Sequence, residues 1–193
     1  RKRTPDAKTC GLCRKKTVLS GFMAVGRYED KTLKEMVHYL KYNFLESLKI
    51  PLGQLAFEFI KRNQLDSVFE KAVLVPVPLT RQRQTRRGFN QSELIAFEIA
   101  ECFNAAVLRN NLIKRIKFEK PQADIADWHK RKNNVEDCFE TRNGEMISEL
   151  ARGNYKFILV DDVSTSGATL EACAKTLKSA GAKEIWALVI ARG

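Results

Sequence analysis

No run of about 18 consecutive apolar residues occurs in the 193-residue chain, so no membrane span is expected. The opening stretch Arg1-Lys2-Arg3-Thr4-Pro5 has no apolar segment behind it, so no secretory signal is expected either, and the chain reads as an intracellular, cytoplasmic protein. It begins with arginine rather than methionine, which suggests a missing N-terminal segment or processing. A Gly-Lys pair is absent, which excludes a Walker A loop, and no G-x-G-x-x-G occurs, which excludes a dinucleotide fingerprint. Histidine is scarce: His38 and His129 have no partner pattern, and neither is given a role. Cysteine is nearly as scarce. Cys10 and Cys13 have zinc-knuckle spacing, but no second pair lies near them, and tetrahedral Zn²⁺ takes four ligands. A redox pair or an unstructured tail is the alternative. Cys102, Cys138 and Cys173 fall on apolar helix or strand positions and read as core thiols.

Negative charge is also in short supply, with 23 acidic against 34 basic residues and a formal net charge of +11. The excess is concentrated in two places. Residues 1 to 20 and residues 81 to 132 each carry a net +6, residues 21 to 80 carry +1, and residues 133 to 193 carry −2. Two basic regions separated by near-neutral chain suit a polyanionic partner, either nucleic acid or a phosphate-dense small molecule; solvated surface charge is the plain alternative. With 44% hydrophobic residues the chain can bury one ordinary core. The expected organisation is a short segment, 1–20, followed by one domain, 21–193.

No internal repeat or low-complexity tract is visible. Leu33, Met36, Val37, Leu40, Phe44, Leu45 and Leu48 recur at helical spacing, and Leu52, Leu55, Ala56, Phe59 and Ile60 continue it, so a helical pair broken at Pro51 is predicted. AVLVPVPL, residues 72–79, reads as a buried strand cut short by Pro76 and Pro78. GFNQSELIAFEIAECF then reads as a helix capped by Asn90, with Leu94, Ile95, Ala96, Ile99 and Phe103 on its apolar face. Short apolar runs recur at 112–116, 157–160 and 185–190. Between the last two, SGATLEACAKTLKSAG reads as a helix closed by Gly181. Strands alternating with helices predict an α/β fold, a mostly parallel sheet flanked by helices.

The most informative stretch is FILVDDVSTSGATL, residues 157–170. Ligands of open α/β sheets sit at the carboxyl ends of strands, where Asp161 and Asp162 fall if 157–160 is a strand. Ser164, Thr165, Ser166, Gly167, Ala168 and Thr169 would then wrap the start of the next helix. Unpaired helical N–H groups, small side chains and hydroxyls make such a turn a phosphate site. Carboxylates repel a phosphate but suit ribose hydroxyls or waters on a hydrated Mg²⁺. The pattern therefore calls for a sugar phosphate, its diol at the aspartates and its phosphate at the turn. The alternative is an acidic pair that merely caps a neighbouring helix.

ILVDDVSTSGATL resembles the phosphoribosyl-pyrophosphate (PRPP) loop of type I phosphoribosyltransferases. The resemblance implies that Asp161 and Asp162 meet the ribose hydroxyls and that Thr165 to Thr169 cradle the 5′-phosphate. Where hypoxanthine-type members carry an aspartate, this chain has Thr165, which argues against hypoxanthine or guanine as substrate. VPVPLTRQRQTRRGFNQSELIA, residues 75–96, is similar to the signature of the ComF late-competence proteins, a branch of that superfamily associated with natural transformation. LIKRIKFEKPQADIADWHKRKNNVEDCFE, residues 112–140, shares their pattern, including Gln122 and the Arg131 to Asn134 region before Phe139, and HYLKYNF at 38–44 fits their early helix. The resemblance implies a type I phosphoribosyltransferase fold binding PRPP with Mg²⁺. It also implies a four-cysteine N-terminal zinc finger, of which Cys10 and Cys13 would be half.

The strand at 73–77 would bring Pro78, Leu79 and Thr80 beside the acidic loop, where superfamily members hold pyrophosphate with backbone amides. Arg81, Arg83, Arg86 and Arg87 would be its guanidinium partners, because their forks match phosphate oxygens. Gly88 and Asn90 read as turn and cap residues. Residues 115 to 130 read as a flap able to close over a ligand, or as a plain surface loop. No general base is identifiable. Three functions follow: phosphoribosyl transfer with loss of pyrophosphate; non-catalytic handling of single-stranded DNA, with Phe118 and Trp128 for base stacking unless they are core residues; or a PRPP-responsive regulator. Competence-machinery proteins are the expected macromolecular partners.

Overall fold

The computed structural model describes residues 6–11, 16–108, 112–116 and 138–193. Five strands form the main sheet: β1 (Gly21–Arg27), β2 (Ala72–Pro76), β3 (Ala106–Val107), β6 (Lys156–Ser164) and β7 (Ile185–Arg192), in the order β1-β7-β6-β2-β3 with every pair parallel. A separate antiparallel pair, β4 (Ile113–Arg115) and β5 (Phe139–Thr141), was not anticipated. The helices are α1 (Lys31–Tyr42), α2 (Lys49–Arg62), α3 (Asp66–Phe69), α4 (Arg81–Arg87), α5 (Gln91–Phe103), α6 (Gly144–Arg152) and α7 (Ala168–Ser179).

Side chains alternate across the strands and divide the core in two. Leu74, Ile158, Val160, Trp186 and Leu188 pack with Leu33, Val37, Leu52, Ile60, Ile95 and Ile99 of α1, α2 and α5. Val73, Val75, Phe157, Leu159, Ile185 and Ala187 pack on the opposite face with Ile147, Leu170, Cys173 and Leu177 of α6 and α7 and with the β4–β5 pair. Burial on both faces explains why β2, β6 and β7 read as unbroken apolar runs. From β2 the chain steps outward through α5 to β3; from β6 it steps the other way through α7 to β7. The two crossover helices therefore lie on opposite faces, and the sheet reverses its winding between β2 and β6.

Three expectations are corrected. The helical pair does not break at Pro51: α1 ends at Tyr42, Phe44 takes a positive φ of 57°, and Pro51 lies in the first turn of α2. A proline costs little there, because its missing N–H would have no helical partner anyway. The strand containing the acidic pair extends past Val160 to Ser164, because β7 continues to pair with it there (Ser164 opposite Arg192). Cys102 is exposed rather than a core thiol; it lies on the outer face of α5, and its Sγ donates to the Glu98 carbonyl at 3.3 Å. Cys138 and Cys173 are buried, as expected. Of the N-terminal segment, Lys8 bridges antiparallel to Gly21, and the Val18 N–H donates to Glu171 Oε1 at 2.9 Å.

α2 and α5 pack closely through Gly53, where an added Cβ would lie 2.4 Å from the Cβ of Glu98. Gly53→Ala should gain about 1 kcal/mol of helix propensity. It should lose about 1–3 kcal/mol to overpacking, because the obstructing atom is fixed to the backbone. The expected outcome is a lower urea midpoint with an unchanged slope; equal or higher stability would mean that the two helices can part without cost.

Candidate functional site

The site grows out of the way the β2–β6 ladder stops. The last rung joins the Val77 N–H to the Val160 carbonyl at 2.9 Å. In a parallel ladder the next rung would join the Asp162 N–H to the Val77 carbonyl. Both groups are instead satisfied by side chains: the Val77 carbonyl accepts from Asn90 Nδ2 at 3.0 Å, and the Asp162 N–H donates to Asp161 Oδ1 at 2.9 Å. Pro76 fits the same scheme. The Leu74 carbonyl accepts from Leu108 on the β3 side, so the missing N–H of Pro76 faces that side too, beyond the end of β3. The ladder ends here, at the winding reversal, which in open α/β sheets is the place of the ligand crevice.

Asp161 and Asp162 lie where the ladder ends. Ser92 Oγ, fully buried in the first turn of α5, donates to Asp161 Oδ1 at 2.9 Å. Lys41 Nζ, in the last turn of α1, lies 2.9 Å from Asp162 Oδ1, with 18% of the lysine side chain and 4% of the aspartate side chain exposed. Asp162 Oδ2 is enclosed and has no hydrogen-bond partner. An enclosed carboxylate oxygen without a donor is costly in a folded protein, and it marks where a ligand hydroxyl or a water would be bound. Desolvation pushes the Asp161 carboxyl up to about 7, and the neighbouring Asp162 carboxylate adds to the shift. The Ser92 hydroxyl, the Asp162 N–H and the Lys41 charge oppose it.

The turn that follows is compact. Ser164 is buried in the strand, and its carbonyl accepts from the Gly193 N–H at 3.1 Å. Thr165 and Ser166 are exposed, and the Ala168 N–H donates to Ser166 Oγ at 3.3 Å. Gly167 caps α7 with φ of 79°, a left-handed conformation that favours glycine, and it offers no side-chain acceptor. The first turn of α7 at Ala168 and Thr169 thus presents its dipole end beside the hydroxyls, a geometry suited to an anion.

Past the end of β2, Pro78 is buried, Leu79 and Thr80 are half-buried, and Thr80 caps α4 by accepting from the Arg83 N–H at 3.3 Å. The predicted pyrophosphate arginines form this seven-residue helix. Arg81, Arg83 and Arg86 are exposed, whereas Arg87 donates to Gln91 Oε1 at 2.9 Å and lies 5.4 Å from the centroid of the Tyr42 ring. Gly88 ends α4 in the left-handed region, and Asn90 caps α5 by accepting from the Ser92 N–H at 3.1 Å, the turn and cap roles expected of them.

The strand register and α4 therefore bring both predicted halves, residues 161–169 and 78–87, to one end of the sheet. Cys10 is half-buried; Cys13, the 117–130 part of the expected flap with Phe118, Gln122, Trp128 and His129, and the Arg131 to Asn134 region lie outside the described residues. Among the described residues no three or more His, Cys, Asp or Glu side chains cluster to hold a metal. The recess lined by Gly144, Ser148 and Arg152 is remote from this chemistry, since Ser148 Oγ bonds the Ala180 carbonyl at the opposite end of the sheet.

Sequence reasoning missed Lys41 and Ser92, and both had a signal. Ser92 precedes Ile95, Ala96 and Ile99 by three, four and seven positions, so it continues the buried face of α5. Lys41 continues the Leu33–Val37 row at four-residue spacing. A hydroxyl and an ammonium on inward-facing rows both require partners.

Fold and site together define an α/β protein with an acidic pair at the winding reversal of a parallel sheet. No family model matches the chain. It is similar to competence protein F of Haemophilus influenzae, 28% identical over 189 residues, covering 96% of this chain and 79% of that protein. Competence protein ComFC of Bacillus subtilis is 30% identical over 152 residues, 72% of this chain and 57% of that protein. The DNA utilization protein YhgH of Salmonella typhimurium is 28% identical over 183 residues, 93% of this chain and 76% of that protein. Each of these similarities extends over most of this chain. No helix among the described residues is long and apolar enough to cross a membrane.

The raised Asp161 carboxyl has a consequence for stability. The folded state holds this proton up to about pH 7, whereas the unfolded chain releases it near its ordinary pKa of about 3.9. The folded state thus binds more protons in that window, so this group lowers stability as pH rises from about 4 to about 7. Asp161→Asn should remove the effect: the stability difference, variant minus parent, should grow with pH across that window in urea titrations. A difference independent of pH would show that the carboxyl titrates normally.

Proposed function

We propose that the chain binds PRPP with Mg²⁺ as a phosphoribosyltransferase-like member of the ComF competence family. The reading rests on one observation: an acidic pair at the winding reversal, its buried Asp162 carrying an unpartnered oxygen, directly precedes a hydroxyl-rich turn at a helix N-terminus. Hydroxyl donors of a ribose suit the carboxylates, and a 5′-phosphate suits the turn. The exposed arginines of α4 suit a pyrophosphate. Because no three acidic, histidine or cysteine side chains cluster among the described residues, Mg²⁺ would be held mainly by phosphate oxygens and waters, as that ion prefers. When bound, it supplies charge neutralisation on the pyrophosphate. The catalytic form of this reading is attack of a nucleophile on ribose C1, the C1–O bond breaking and its electron pair leaving with pyrophosphate; no catalytic residue is assigned. Zn²⁺ at Cys10 and Cys13, with two further ligands, belongs to the same proposal.

Calorimetry with PRPP and Mg²⁺ tests the reading. An Asp161→Asn/Asp162→Asn double variant, shown to be folded by circular dichroism, should lose binding; unchanged affinity would sink the assignment. Arg86→Ala should weaken PRPP by about tenfold or more, the 1.5–3 kcal/mol of a charged hydrogen bond, and leave ribose 5-phosphate unaffected. An equal loss for both ligands would take Arg86 out of the pyrophosphate site.

The printed names of the relatives, competence and DNA utilization, favour a second reading, handling of single-stranded DNA during uptake, with the basic segments as backbone contacts. Fluorescence anisotropy with mixed-sequence oligonucleotides should then show binding that falls steeply with salt. No binding at low salt would remove this reading for the chain.

A further inference from the structure

The acidic pair already contains a cation. Lys41 Nζ sits 2.9 Å from Asp162 Oδ1, four-fifths buried, on a helix held by Leu33, Val37 and Leu40 in the core. Four donors are thus accounted for on the two Oδ1 atoms: Lys41 and the Val163 N–H on Asp162, and the Ser92 hydroxyl and the Asp162 N–H on Asp161. Asp162 Oδ2 is left with none. A divalent cation bound directly to Asp162 would stand within a few ångströms of the ammonium, at a buried carboxylate where low polarisability strengthens the repulsion. It would also find no third acidic, histidine or cysteine ligand among the described residues. A neutral hydroxyl meets no such repulsion and brings the donor that Oδ2 lacks.

We propose that Lys41 is a specificity-determining residue: by neutralising Asp162 in place, it commits the carboxylate pair to the vicinal hydroxyls of a sugar and denies it to a directly bound divalent ion. The proposal rests on the sugar-phosphate reading above and deepens it. On this reading Asp161 and Asp162 would not ligate Mg²⁺ directly, and the charge that the ion would neutralise is that of the ligand's phosphates.

The test uses the whole chain and two probes, ribose 5-phosphate by calorimetry and Mn²⁺ alone by electron paramagnetic resonance. The parent should bind ribose 5-phosphate and leave Mn²⁺ free. Lys41→Met should lose ribose 5-phosphate affinity at least tenfold and acquire Mn²⁺ binding that Asp162→Asn abolishes; Lys41→Arg should restore the parent pattern. Should Lys41→Met fail to fold, Lys41→Gln, which keeps a donor without charge, is expected to show the same gain of Mn²⁺ binding. Mn²⁺ binding to the parent as tight as to the variants, or variants that bind neither more Mn²⁺ nor less sugar phosphate, would overturn the proposal. A parent that ignores ribose 5-phosphate would count against the sugar-phosphate reading, while the Mn²⁺ comparison would still decide the role of Lys41.

Discussion

Two adjacent carboxylates on the central strand must share an enclosed space, and much of the surrounding structure is arranged around that constraint. Desolvation, reinforced by the like charge of Asp162, is why the Asp161 carboxyl holds its proton up to about 7. The protein answers from two directions. Lys41 reaches in from α1 to Asp162, and Ser92 reaches in from α5 to Asp161. Each helix is itself positioned by the core on one face of the sheet, so ordinary apolar packing sets the electrostatics of the pair.

That placement depends on where the β2–β6 ladder ends. Pro76 and Pro78 limit β2, Asn90 takes over the last carbonyl, and Asp161 takes over the next N–H of β6. A single stop therefore frees the carboxylates from the sheet, starts α5 at its cap and directs the chain into α4. The same few hydrogen bonds link the arginine helix, the acidic pair and the serine that supports it. A change at Asn90 would disturb all three, although its side chain touches neither Asp161 nor Asp162.

Much of the fold was legible before any coordinates, and the reason is local. The buried stretches 72–76, 157–160 and 185–191 are apolar on both faces, so they stand out as runs, and the Asn90 cap and the glycine at 167 are short-range signals. The β4–β5 pair was not legible. Strands of three residues carry too little pattern, and their pairing joins segments more than twenty positions apart. Pro51 misled for a related reason, since the same residue breaks a helix from inside but starts one comfortably.

The amino-acid sequence by itself determined the chemistry at stake: an acidic pair followed by hydroxyls and glycine at a strand–helix junction, and four arginines after a second strand. Their types and spacing are properties of contiguous chain, and contiguous chain folds into the local units that display them. Only the tertiary structure decided that the two halves meet at one end of the sheet, because parallel register between β2 and β6 brings residues 78 and 162 to the same level. It alone decided that Lys41, some 120 positions before Asp162, is the internal counter-charge. Helical spacing turns a lysine inward, but which carboxylate it meets depends on how the helix docks, and docking is set by the shape of the whole core.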